Sequence, residues 1–213
     1  MESHKALPDK LAYALSVLLY PLFVSTYVII VFCQLFSRHV LPLTWTYQLL
    51  AIGGTFLFTC LLPLAILGWM IWRGKVSNLD VTNRSERNLP YLYAIGCIGC
   101  WCYFLHVIHM PKYMVWSAVA SLIILIIVTL ITLRWKISAH LSSMGGATAM
   151  LIAIMAQCGI YSPLTIILLM LLSWLLMVAR IRLQAHTPEQ TVTGYLLGFI
   201  GVLIPNIILL YAA

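Results

Sequence analysis

The chain has 213 residues, of which 63% are hydrophobic and only 8% charged, too little polar surface for a soluble domain of this size. Its net charge of +7 comes from scattered basic residues and not from a basic–aromatic module on a soluble fold. This argues against a nucleic-acid partner and for anionic headgroups or phosphate. The apolar runs are continuous instead of alternating, so the expected fold class is an all-α polytopic membrane helix bundle and not a β-barrel.

The polar N-terminus, residues 1–10, leads into an apolar segment over 11–36. That segment is too long for a signal-peptide core and lacks a small-residue cleavage site, so it reads as an uncleaved first helix. Further segments over 49–72, 89–108, 114–134, 141–159, 162–179 and 191–212 predict six to seven transmembrane helices, with one re-entrant piece if the count is six. The connectors are short, so neighbours run antiparallel, and the whole chain, 1–213, forms one integral membrane domain. Gly96 and Gly99 lie in the third segment. Gly194 and Gly198 in the last have a small-xxx-small spacing that allows close helix approach. Cys97, Cys100 and Cys102, with His106 and His109, are metal-ligand types, but they run along one hydrophobic segment and only some share a face, so no metal site is expected. All six cysteines fall in apolar segments, and no disulfide framework is inferred.

With seven spans the polar stretches 1–10, 73–88, 135–140 and 180–190 share one face. That face holds Lys5, Lys10, Arg73, Lys75, Arg84, Arg87, Arg134, Lys136, Arg180 and Arg182, against Arg38 and Lys112 opposite. Three of these stretches carry candidate chemistry. In Asp80–Pro90, Arg84 and Arg87 lie three apart before a proline that opens a helix. They can clamp an anion or form a solvated network with Asp80 and Glu86. In Lys136–His140, Ser138 and His140 bracket Ala139 just before a membrane helix. A hydroxyl and backbone N–H groups can hold a phosphate there, or Ser142 or Ser143 caps the helix and His140 is a loop residue. In Arg180–Gln190, Thr187-Pro188-Glu189-Gln190 has the form of a capping box with proline at the first helical position. His186 then sits just outside the last helix, where free N–H groups and the helix dipole favour an anion. Arg180 adds a planar fork of donors for phosphate oxygens.

In order, spacing and membrane context these stretches resemble the type-two phosphatidic acid phosphatase superfamily of membrane lipid phosphatases. The family's third motif, Ser-Arg-x5-His-x3-Asp, is similar to Ala179-Arg180-x5-His186-x3-Gln190 here. Its second, Pro-Ser-Gly-His, is similar to Ile137-Ser138-Ala139-His140. Its first, Lys-x6-Arg-Pro, is represented only by Arg87, with Pro90 displaced and Lys75 too far upstream. The resemblance covers about residues 75–205. It implies His186 as a nucleophile that forms a phosphohistidine and His140 as the general acid. Arg87, Ser138 and Arg180, with the Ala139 N–H, would bind phosphate; Arg84 joins them from the clamp reading and not from the resemblance. It implies no metal and no cofactor, and a membrane lipid phosphate monoester or diphosphate as substrate. Gln190 stands where the family has Asp; its carbonyl can orient the imidazole but cannot stabilise a developing positive charge as a carboxylate does.

The expected function is therefore a membrane lipid phosphatase. The alternative is a non-catalytic lipid-phosphate binder that kept the pocket and lost turnover. The charge count puts the site face in the cytoplasm, whereas the resemblance implies the outer face of a bacterial inner membrane.

Overall fold

The computed structural model describes residues 7–79, 81 and 83–212. Among them seven helices are long and apolar enough to cross a membrane, and the chain is an all-α, multi-pass membrane protein. In chain order the elements are α1 (Leu7–Leu18), α2 (Pro21–His39), α3 (Trp45–Phe56), a π-helical turn (Leu57–Leu61), α4 (Leu62–Trp72), a 3-10 turn (Arg84–Glu86), α5 (Asn88–Val107), α6 (Lys112–Thr132), α7 (Ala139–Gln157), α8 (Pro163–Arg182) and α9 (Pro188–Ala212). The run Trp45–Trp72, comprising α3, the π turn and α4, forms one span.

The first apolar segment is two helices and not one, a correction to the span expected over 11–36. Pro21 has no N–H with which to continue a helix from α1, and Tyr20 before it is extended, at φ −63° and ψ 137°, as a residue preceding proline prefers. Membrane crossing begins at α2. The shorter α1 packs along α8, where Arg182 Nε donates to Asp9 Oδ1 at 2.7 Å. The second span keeps its continuity past Pro63, whose missing N–H falls where the backbone widens into the π turn.

Around the bundle α2, α3–α4, α5, α6, α9 and α7 each pack on the next, and α7 closes the ring back onto α2. The tightest pairing is α7 with α9. A Cβ at Gly198 would overlap the Ser142 carbonyl, and one at Gly145 would overlap the Tyr195 carbonyl. The predicted Gly194/Gly198 spacing therefore does bring two backbones together. Gly96 and Gly99 face open space and have no such role. The described residues of the connectors, 73–79, 81, 83–87, 133–138 and 183–187, lie on one face together with α1.

Candidate functional site

The turn from α8 to α9 is built by two consecutive capping devices. At the end of α8, Ala185 N donates to Arg180 O at 3.1 Å and Gln184 N to Ile181 O at 2.9 Å, with Gln184 in the left-handed region at φ 52°. This is a Schellman turn, and it folds the chain back over Arg180. The predicted capping box follows: Gln190 N donates to Thr187 Oγ1 at 3.4 Å, and Thr187 N donates to Gln190 Oε1 at 3.2 Å. The five residues between Arg180 and His186 are thus the length of one helix reversal, and they bring the arginine and the histidine to the same cavity.

Gln190 Oε1 has a second bond, 3.1 Å from His186 Nδ1, and the Lys136 carbonyl lies 3.2 Å from the same nitrogen. Both neighbours are acceptors, since Gln190 Oε1 already receives the Thr187 N–H. Nδ1 must therefore be the protonated nitrogen, leaving Nε2 with a free lone pair. Burial pushes the His186 pKa down to about 4; the Gln190 bond opposes it, and the charges of Arg87, Arg180 and Lys136, each a smaller effect, add to the lowering. At neutral pH this imidazole is uncharged, with its lone pair available.

The α6–α7 connector meets this turn from the side, with Ser138 N donating to Gln190 O at 3.2 Å. Ser138 is the α7 cap: it is fully buried and accepts at Oγ from Leu141 N at 3.4 Å. It stands behind the cavity wall, and the cavity is lined instead by Ala139, His140, Ser142 and Ser143. The cap starts α7 at Ala139 instead of the expected 141, so His140 belongs to the first helical turn and is not a loop residue. The third stretch contributes Arg87, whose Nε donates to Val81 O at 2.9 Å. Val81 has φ 43°, uncommon for a β-branched residue. Glu86 faces away from the cavity. It accepts from Ser77 N, Ser77 Oγ and Asn83 Nδ2, and these bonds hold its carboxyl below the usual range. The side chain of Arg84 and all of Asp80 lie outside what the structure describes.

Five of the residues singled out in the sequence therefore line one cavity of about 220 Å3: Arg87, Ala139, His140, Arg180 and His186. The four with ionisable side chains are between 4% and 7% exposed. His140 Nε2 and Arg87 Nη1 are buried and meet no partner among the described residues. Burying charged and polar groups in this way is costly unless something pairs with them. The Lys136 ammonium, half-buried, is also held below its ordinary pKa, by burial and by Arg87 and Arg180. Three cations repelling one another around a neutral imidazole form a site whose repulsion an anion relieves.

Sequence reasoning missed two participants. Tyr20 packs edge-on against His140, with ring centroids 5.2 Å apart, and its hydroxyl donates to Leu79 O at 2.8 Å. Only the Tyr-Pro break before α2 hinted at a bend there. Lys136 was visible two residues before Ser138, but its closeness to Arg87 and Arg180 is a tertiary fact. Below the cationic end the cavity continues between Val28, Ile98, Ile124, Val128 and Met150 and becomes apolar. No family model, curated protein or solved structure matches the chain.

Proposed function

We propose that the protein is a membrane lipid phosphatase that hydrolyses a lipid phosphate monoester or diphosphate through a phosphohistidine on His186. The observation that carries this reading is a single cavity with a cationic, hydrogen-bonding end around a neutral histidine and an apolar continuation between membrane helices. A phosphate group and its hydrocarbon chain have that same division. The motif resemblance, with its order of Arg87, His140, Arg180 and His186, supports it independently.

In this reading the Arg87 and Arg180 guanidiniums bind the phosphate oxygens and stabilise charge as it develops. The Ala139 N–H at the start of α7 assists. His186 Nε2 attacks phosphorus and the P–O bond to the lipid breaks. The departing oxygen takes its proton from His140, which holds that proton once the bound anion offsets the surrounding positive charge. Water then attacks the phosphohistidine, losing a proton to His140 and releasing inorganic phosphate. Gln190 fixes the His186 tautomer from behind, the orienting half of what a carboxylate does.

Gln190 also favours a second reading, a lipid-phosphate binder without turnover, because an amide gives no charge stabilisation to the phosphorylated imidazole. Phosphate release by the detergent-purified protein, with chelator present, separates the two. The phosphatase reading expects release from a lipid phosphate that is lost in His186→Ala. Binding with no release supports the binder.

We assign the site face to the outer side of a bacterial inner membrane, as the resemblance implies. The positive-inside count argues the reverse, but Arg87 and Arg180 are buried at the cavity and so serve chemistry before topology. A reporter fused after Ala213 is then cytoplasmic, and an external reporter reverses the assignment.

A further inference from the structure

The cavity, from its cationic end down, has a measurable depth and a solid floor. Along α7 its lining runs from Ala139 to Met150, about 16 Å at the helical rise per residue. That is close to half the hydrocarbon thickness of a bilayer, about 15 Å. At the bottom Trp101, Ser121, Met150 and Val202 converge. The indole of Trp101 is fixed there, its Nε1 donating to Thr55 Oγ1 at 2.9 Å. One to two turns deeper on α6, Ala118, Ser117 and Met114 are fully buried, so the shaft does not continue. Its sides are the ring of helices described above, each packed on the next, with α2, α5, α6, α7 and α9 all contributing to the lining.

We propose that the cavity is a chain-measuring shaft that admits one hydrocarbon chain no longer than about half a bilayer, so that the substrate is a one-chain lipid phosphate. The identity of the headgroup rests on the phosphatase reading; the limit on the chain does not. The bilayer interior is as apolar as the shaft, so a chain gains little by moving from one to the other. Selection must therefore come from exclusion: a chain that is too long meets Trp101, and a second chain meets the helix ring. Phosphatidic acid with two chains and long isoprenyl phosphates are then excluded by shape, although their headgroups suit the cationic end.

The test uses the full chain, purified in detergent, with octyl, dodecyl and docosyl phosphate and a two-chain phosphatidic acid as probes. Retention is read by native mass spectrometry, which needs no turnover. Octyl and dodecyl phosphate are expected to be retained. Docosyl phosphate and phosphatidic acid should fall by roughly tenfold or more, the effect of overpacking a filled interior. Trp101→Ala should restore docosyl retention by opening the floor. Ala94→Leu, which intrudes partway down the shaft, should lower the ceiling, and it gives the test a second handle if the tryptophan variant does not fold. Equal retention of all four probes overturns the shaft. Phosphate release from the same alkyl series separates the two proposals. A length ceiling in retention with no release from any probe leaves the shaft standing and sinks the phosphatase. Release from every probe, long and two-chain included, does the opposite. Retention of none overturns both.

Discussion

α7 and α8 are consecutive, nearly equal in length and opposite in fate. α7 is the less apolar, with a mean hydropathy of 1.4 against 2.4, yet 72% of its span is buried inside the protein and only 22% of that of α8. In water the more apolar helix would occupy the core. In a membrane the lipid is as apolar as any leucine, so burial goes to the helix whose small and polar side chains pack and hydrogen-bond well. The sequence of α7, Ala-His-Leu-Ser-Ser-Met-Gly-Gly-Ala-Thr-Ala, is of that kind. α8, rich in leucine, isoleucine and methionine, presents Leu168, Leu171 and Trp174 outward and buries little beyond its last turn, where Arg180 enters the cavity. Low hydropathy alone does not decide burial, since α5 has a mean hydropathy of 1.2 and is only 22% buried; the small residues of α7 do.

The comparison breaks most severely at Gly198. Any side chain there overlaps the Ser142 carbonyl of α7, and two backbones cannot move aside as a side-chain tip can. Gly198→Val is expected to abolish recovery of monodisperse protein in size-exclusion chromatography. Normal recovery would mean that α7 and α9 are not in backbone contact. Next in size is Gln190→Leu, which removes both the Thr187 cap bond and one of the two acceptors for His186 Nδ1, leaving the Lys136 carbonyl. We expect a loss of about 1 kcal/mol in stability from the cap. Turnover should fall by roughly one to two orders of magnitude as the imidazole is left with the Lys136 carbonyl alone to orient it. A drop in melting temperature with unchanged turnover would reduce Gln190 to a helix cap.

A third expectation concerns acid. His186 titrates near 6.5 when unfolded and about 4 when folded. Between those values the unfolded chain binds a proton that the folded chain refuses, so stability falls as pH falls through that window. The drop is on the order of 3 kcal/mol, and inorganic phosphate should reduce it by compensating Arg87, Arg180 and Lys136. Thermal melts of the wild type and His186→Asn between pH 7 and pH 4 check this; parallel curves for the two proteins would contradict it. The smallest effect belongs to the periphery. Leu168→Ala on the outer face of α8 should leave the melting temperature within experimental error, because a lipid tail replaces what the leucine touched. A loss comparable to that of a core truncation, about 2–5 kcal/mol, would show that α8 has a protein partner on that face.

Much of the fold could be read from the sequence because apolar runs and their length are local properties. Six of the seven spans fell where continuous hydrophobicity put them, and parity then gathered the polar stretches onto one face. The error at 11–36 arose because α1 and α2 are both apolar enough to merge, and only Pro21 marks the break. At the site, the turn around His186 was legible because Thr187-Pro-Glu-Gln190 is a local signal with its own hydrogen bonds. Ser138 illustrates the reverse. Its residue type suits phosphate, but the same hydroxyl suits a helix cap, and three-dimensional placement assigned it to the cap. Tyr20 and Lys136 could not be assigned from sequence at all, since their neighbours lie more than 40 residues away along the chain.

The central claim, that His186 is the nucleophile of a lipid phosphatase, is tested most directly by trapping. The purified protein is mixed with dodecyl phosphate in the presence of chelator, quenched within the first turnover under alkaline conditions that preserve phosphohistidine, and mapped by peptide mass spectrometry. A phosphoryl group on His186, absent from His186→Ala and formed more slowly in His140→Ala as the departing alkoxide loses its acid, is the result this account predicts. Phosphate release with no phosphohistidine, or with the phosphoryl group on any other residue, would contradict it.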